Sequence, residues 1–163
     1  MDKKEELERY VALLANMNRA SVKGFLAPHK PVLLLAVQYL LQTGWLTDNK
    51  VILDGMLEDC FCQFWRLKVD DGSSRQIMVC EDLIVQSSNV YPFKCQIANP
   101  FYHLGCEPFW TLVKSDQWVS KSNYSKKLLK QYYQYAEIAK VLAELMVDKD
   151  CGRIIEAVLD GLI

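Results

Sequence analysis

The longest apolar run in the chain, Val32–Leu41, is interrupted only by Gln38, so nine of its ten residues are apolar. A run this continuous, with Pro31 before it and Gly44 after it, predicts a helix over residues 31–42 that is buried almost all round. Pro31 suits the first position of that helix, where its fixed φ fits and its missing N–H is not needed. Gly44 suits a left-handed cap at the other end. Upstream, Leu7, Tyr10, Val11 and Leu14 recur at helical spacing and predict a surface helix over residues 3–17. Residues 18–30, with Gly24 and Pro28, read as a loop.

Downstream, "WLTDNKVIL" predicts a turn at Asp48-Asn49 and a short strand. Asp54 can cap a third helix reaching about Leu67. "KVDDGSSRQ" is a polar loop, and residues 77–86 fit strand and helix equally. The stretch "VYPFKCQIANPFYHLGCEPFWTLVKSDQWVS" is rich in prolines, aromatics and β-branched residues, and predicts short strands joined by turns. Ile138, Val141, Leu142, Leu145 and Met146 define a long helix, roughly residues 124–147. Asp148 or Asp150 can cap a last helix carrying Ile154, Ile155, Val158, Leu159 and Leu162. The expected class is α+β, with helices at both ends packed around a small central antiparallel β region.

The chain has 163 residues, 51% of them apolar, which suits one domain over residues 1–163 with a real core. No run is long enough for a membrane span, and the mixed-charge start "MDKKEELERY" does not resemble a signal peptide. The expectation is a soluble, cytoplasmic protein. The six cysteines, at 60, 62, 80, 95, 106 and 151, have neither the CxxC nor the HxxxH spacing of a zinc site. They read as free thiols in a reducing compartment.

The net charge of −1 hides a pattern. No acidic residue occurs over 9–47, 83–106 or 117–136, and these three segments hold nine basic residues. The remainder holds ten basic and twenty acidic ones. If the three segments share a face, that face suits a polyanion, with Phe101, Tyr102, Tyr124, Tyr132 and Tyr133 interleaved. The plainer reading is that the lysines solvate helix faces and the aromatics are core. With two histidines, a ββα-metal nuclease motif cannot be assembled, and no phosphate-binding glycine loop or GxSxG is present. Catalysis by this chain alone is therefore not expected, and these residues call for no metal or cofactor.

Several blocks resemble one family. "APHKPVLLLAVQYLLQTG" is similar to the signature "APHKPLLLLALL" in the N-terminal domain of many bacterial restriction endonucleases that end in an HNH nuclease. "ILDGMLEDCFCQFWRLKV" stands where that family has a helix with an aromatic-x-x-x-Trp pattern, and "NPFYHLGCEPFWTLV" resembles its "PFYxLxxxxFWxL" block. "YAEIAKVLAELMVDKDCGRIIEAVLDGLI" resembles its closing helical pair, so the likeness spans about residues 5–163. In part of that family this is a sulfur-binding domain, which recognises double-stranded DNA carrying a backbone phosphorothioate.

The resemblance implies a sulfur pocket at Asn99, Pro100, Phe101, Tyr102 and His103, with Pro100 as the apolar wall. It implies phosphate contacts from His29 and Lys30, and basic support from Lys121 or Lys126; Arg19 and Lys23, in the first acid-free segment, are further candidates for phosphate contact. Asn99 stands where the family usually has an aromatic, and His103 where it usually has a small residue, which makes this pocket more polar. The implied setting is bacterial restriction and defence, with a separate HNH nuclease subunit as a possible partner. Two other functions fit the same residues: a reader of unmodified or base-modified DNA, and a protein-interaction module that pairs with a separate nuclease.

Overall fold

A computed structural model describes residues 2–71 and 91–163. The expectations for residues 77–86 and for most of the polar loop before them lie outside the described residues. The class is α+β: helices combined with small antiparallel sheets. Among the described residues, no helix is long and apolar enough to cross a membrane.

Helix α1 (Lys3–Ala15) starts where the Asp2 carboxylate accepts from the Glu5 N–H at 2.8 Å, and it buries Tyr10 and Leu14. The expected loop that follows contains a hairpin, β1 (Ser21–Val22) with β2 (Phe25–Leu26). Its two-residue turn places Lys23 at φ 53° and Gly24 at φ 83°. Two positive φ values are what a two-residue hairpin turn demands, and Lys-Gly signals it more weakly than Asn-Gly does.

Helix α2 (His29–Gln42) begins two residues before Pro31, which still lies in the first turn, where a missing N–H costs nothing. From Lys30 to Leu41 only Tyr39 is exposed. Gly44 has φ 84°, the left-handed conformation expected at this helix end. Gln38, the one polar residue of the apolar run, donates from Nε2 to the carbonyls of Met146 (3.2 Å) and Gly152 (2.9 Å). It thereby clamps the centre of α2 to the C-terminal helix corner.

Strand β3 (Lys50–Val51) follows the predicted turn, and α3 (Gly55–Trp65) is capped by Asp54, which accepts from the Leu57 N–H at 2.9 Å. One wider turn, Arg66–Asp70, extends it. Residues 91–97 run without regular structure into α4 (Ala98–His103) and a tight turn, Leu104–Cys106. Short strands are expected throughout this region, but among its described residues only β4 (Trp110–Lys114) forms.

The long helix expected over residues 124–147 is instead α5 (Lys126–Tyr132), β5 (Tyr133–Ile138) and α6 (Lys140–Val147). β5 is the central strand of a β3-β5-β4 sheet, antiparallel to both neighbours, with Val51 opposite Ala136 and Trp110 opposite Ile138. Sheet pairing on both edges outweighs the helical spacing of "YAEIAKVL", and the aromatics of "YYQY" suit a strand. Helix α7 (Lys149–Gly161) closes the chain. Asp148 caps it, accepting from the N–H groups of Asp150 and Cys151.

Helices α3, α4, α6 and α7 surround α2, and α1 lies on α6 and α7. The core is filled by Leu33, Leu34, Phe61, Phe101, Phe109 and Trp110. The α6–α7 corner is tight: a Cβ on Gly152 would sit 2.5 Å from the Met146 carbonyl oxygen, whereas one on Gly161 would meet nothing within 4 Å. Gly152→Ala should therefore lower stability by about 2–3 kcal/mol in urea unfolding, and Gly161→Ala should change it by less than about 1 kcal/mol. Equal effects at the two positions would contradict the close packing of this corner.

Candidate functional site

A cleft of about 480 Å³ opens where four pieces of chain converge. The approach to the hairpin and its exit supply Asn18, Arg19, Ala20 and Ala27. The start of α2 supplies His29 and Lys30, the segment before α4 supplies Phe93 and Gln96, and α4 with its following turn supplies Asn99, Pro100, His103 and Cys106. No Asp or Glu is among these lining residues. The first two acid-free segments thus meet here, and the third reaches the second through Tyr124, whose ring lies 4.8 Å from that of Tyr102.

Six of the eleven residues singled out in the sequence line this cleft: Arg19, His29, Lys30, Asn99, Pro100 and His103. The other five do not. Phe101 is core, 1% exposed, with its ring edge-on to Trp110 and its carbonyl accepting from Trp110 Nε1 at 3.0 Å. Tyr102 stacks among Tyr124 and Tyr133. The helical backbone explains the split: Asn99, Pro100 and His103 share one face of α4, and Phe101 points away from it. Lys23 lies exposed in the hairpin turn, and Lys121 lies exposed before α5. Lys126 pairs with Glu58 at 2.9 Å on the surface.

Beneath the lining, Lys30 joins a buried ion pair with Glu107. The Lys30 ammonium is 2.6 Å from the Asn18 carbonyl, 3.3 Å from Glu107 Oε2 and 3.5 Å from Cys106 Sγ. The same Glu107 oxygen accepts from the Asn18 N–H at 3.1 Å. Both charged residues are only 8% exposed. Lys30, expected to meet a phosphate, therefore has its charge met within the protein, and it ties the chain before the hairpin to α2 and to the turn after α4. Glu107 was not foreseen. Its one signal was position, as the first acid after the acid-free stretch 83–106, set among apolar residues in "GCEPFW".

His29 is likewise a brace. Its Nε2 is 2.8 Å from the Lys94 carbonyl, and its ring packs against Trp65 at 4.6 Å and Phe93 at 5.7 Å between centroids. Burial moves its pKa below the ordinary 6.5, with the Lys94 bond partly opposing that shift. The ring is thus neutral near pH 7, with Nε2–H donating to Lys94, so it fixes the segment before α4 rather than supplying positive charge. His103 is also held below its ordinary value, by burial and by the nearby Lys30 charge.

Arg19 donates from Nε to the Ala27 carbonyl at 2.9 Å and from Nη2 to the Leu162 carbonyl. These bonds use two of its five N–H donors. Gln96 Oε1 accepts from the Asn99 N–H at 3.0 Å and so fixes the start of α4.

This arrangement presents a guanidinium, amide side chains and neutral imidazoles above apolar patches from Ala20, Ala27, Phe93 and the edge of Pro100. Among the described residues, no group of three or more His, Cys, Asp or Glu side chains is placed to hold a metal ion. No protein-family model matches the chain, and no curated protein is significantly similar to it.

Removing one member of the Lys30–Glu107 pair would leave a buried charge alone, which costs about 3–5 kcal/mol. Lys30→Met and Glu107→Leu should each destabilise by roughly that amount in urea unfolding, and the double variant should recover more than half of the summed loss. Additive losses would show that the pair is not what anchors the cleft.

Proposed function

We propose that the cleft receives the sugar–phosphate backbone of double-stranded DNA, and that it favours a phosphorothioate, with the sulfur against Pro100 and its apolar neighbours. One observation carries this reading. The two sequence blocks that most resemble the sulfur-binding domains, far apart in the chain, converge on one acid-free cleft, His29 and Lys30 from the first and Asn99, Pro100 and His103 from the second. In this reading the chain is a recognition domain of restriction and defence acting in the bacterial cytoplasm, and a separate HNH nuclease would supply cleavage.

The chemistry supports the pairing of apolar patch and donors. Sulfur is larger than oxygen and accepts hydrogen bonds poorly, so moving it out of water costs less and its contact with apolar carbon is favourable. The charge shared with the remaining oxygens is met by Arg19, by the Asn99 amide and by the N-terminal end of α2. Because Pro100 is itself buried, its ring offers an edge, and Ala20, Ala27 and Phe93 complete the wall. Lys23, Lys94, Lys121 and Lys126 lie exposed outside the cleft, where lysines steer and hold neighbouring phosphates without specifying sequence. The polar Asn99 and His103 favour a second reading, a reader of the ordinary DNA backbone.

A sulfur contact covering ~30–40 Å² is worth about 1 kcal/mol, or about fivefold in affinity. Titration of matched duplexes with and without one phosphorothioate should give that preference, with a log–log salt slope of about −3 to −4 for both. Pro100→Ala should remove most of the preference, and Lys126→Ala should weaken both duplexes alike. Equal wild-type affinities would leave the ordinary-DNA reading, and no binding to either duplex would overturn both.

A further inference from the structure

We infer that Cys62 and Cys95 form an oxidisable dithiol, a site at which a hydroperoxide produces a disulfide that pins one wall of the cleft to α3. The two residues are 33 positions apart, yet Cys95 Sγ donates to Cys62 Sγ across 3.5 Å. Cys62 lies half-buried on α3, and Cys95 lies exposed on the irregular segment before α4; both are free thiols. A disulfide needs a sulfur separation near 2.05 Å, so about 1.5 Å must close. A segment outside helix and sheet can supply that movement.

The other described cysteines lack such a neighbour. Cys60 is buried and donates to the Ala36 carbonyl across 3.7 Å. Cys106 contacts Lys30 and Glu107 in the cleft, and Cys151 is buried beside the α7 cap.

The reaction balances with a hydroperoxide as oxidant. Cys62, which accepts the hydrogen bond, attacks one peroxide oxygen as its thiolate. The O–O bond breaks, hydroxide leaves and takes up the thiol proton, and Cys62 becomes a sulfenic acid. Cys95 sulfur then attacks the Cys62 sulfur, the S–O bond breaks, and water leaves with the Cys95 proton. The two thiols lose two electrons in all, and hydrogen peroxide becomes two waters. Thiols restore the pair by exchange.

The placement gives the bond a consequence. The segment holding Cys95 also carries Phe93 and Gln96 to the cleft and the Lys94 carbonyl to His29. A covalent tie to α3 restrains that wall, whether or not the cleft takes DNA.

The test is peroxide treatment of the folded wild-type protein, followed by non-reducing digestion and mass spectrometry. The expected result is a linked Cys62–Cys95 peptide pair two hydrogens lighter than the free thiols, lost with dithiothreitol and retained in Cys106→Ser. The oxidised protein should melt about 5–10 °C higher, and hydrogen exchange over residues 91–97 should slow. In Cys95→Ser, dimedone should capture the sulfenic acid at Cys62. Pairing of either residue with Cys80 or Cys106, or over-oxidation with no linked pair, would overturn the inference, and the wild-type measurement decides it even if a variant fails to fold.

Discussion

The enclosure of α2 is the constraint on which the structure depends. A helix that is apolar on every side cannot rest on a surface; it must be surrounded. α3, α4, α6 and α7 do this, and Gln38 fixes the one polar position to the α6–α7 corner. Between Lys30 and Leu41 the helix meets solvent only at Tyr39. The hairpin, the segment before α4, and α4 itself gather around its N-terminal end, and the cleft is the space left between them.

Charge in the cleft is used mainly to build it. Lys30 is matched by Glu107, His29 is neutral and bonded to Lys94, and Arg19 holds two carbonyls. A buried pair of this kind gives little net stability over an apolar equivalent, but it fixes which pieces of chain meet. The resulting surface is modestly polar, free of acid and partly apolar. On the proposed reading, such a surface favours a softer anion over a fully hydrated phosphate and leaves long-range attraction to the exposed lysines outside the cleft.

Much of this was legible in the sequence wherever a local rule governed the outcome. The apolar run gave α2, Asp54 and Asp148 marked helix starts, and Gly44 marked an end. Tertiary pairing was not legible. β5 lies within a helical pattern because β3 and β4 flank it. α4 lies within a proline- and aromatic-rich stretch that resembles strand, and that change of backbone moved Phe101 and Tyr102 out of the predicted pocket while keeping Asn99, Pro100 and His103 in it. Glu107 and Asn18 could not be read as partners of Lys30, since their separations of 77 and 12 residues follow no periodicity.

The central claim is that the acid-free cleft at the start of α2 is where a modified DNA backbone docks. Its most direct test is an assigned amide NMR spectrum recorded during titration with a phosphorothioate duplex. The account predicts that the largest shift changes fall on Ala20, Lys30, Gln96, Asn99 and His103, and that they shrink at the same positions with the unmodified duplex. Changes that spare these residues and collect elsewhere, or no change at saturating duplex, would contradict it.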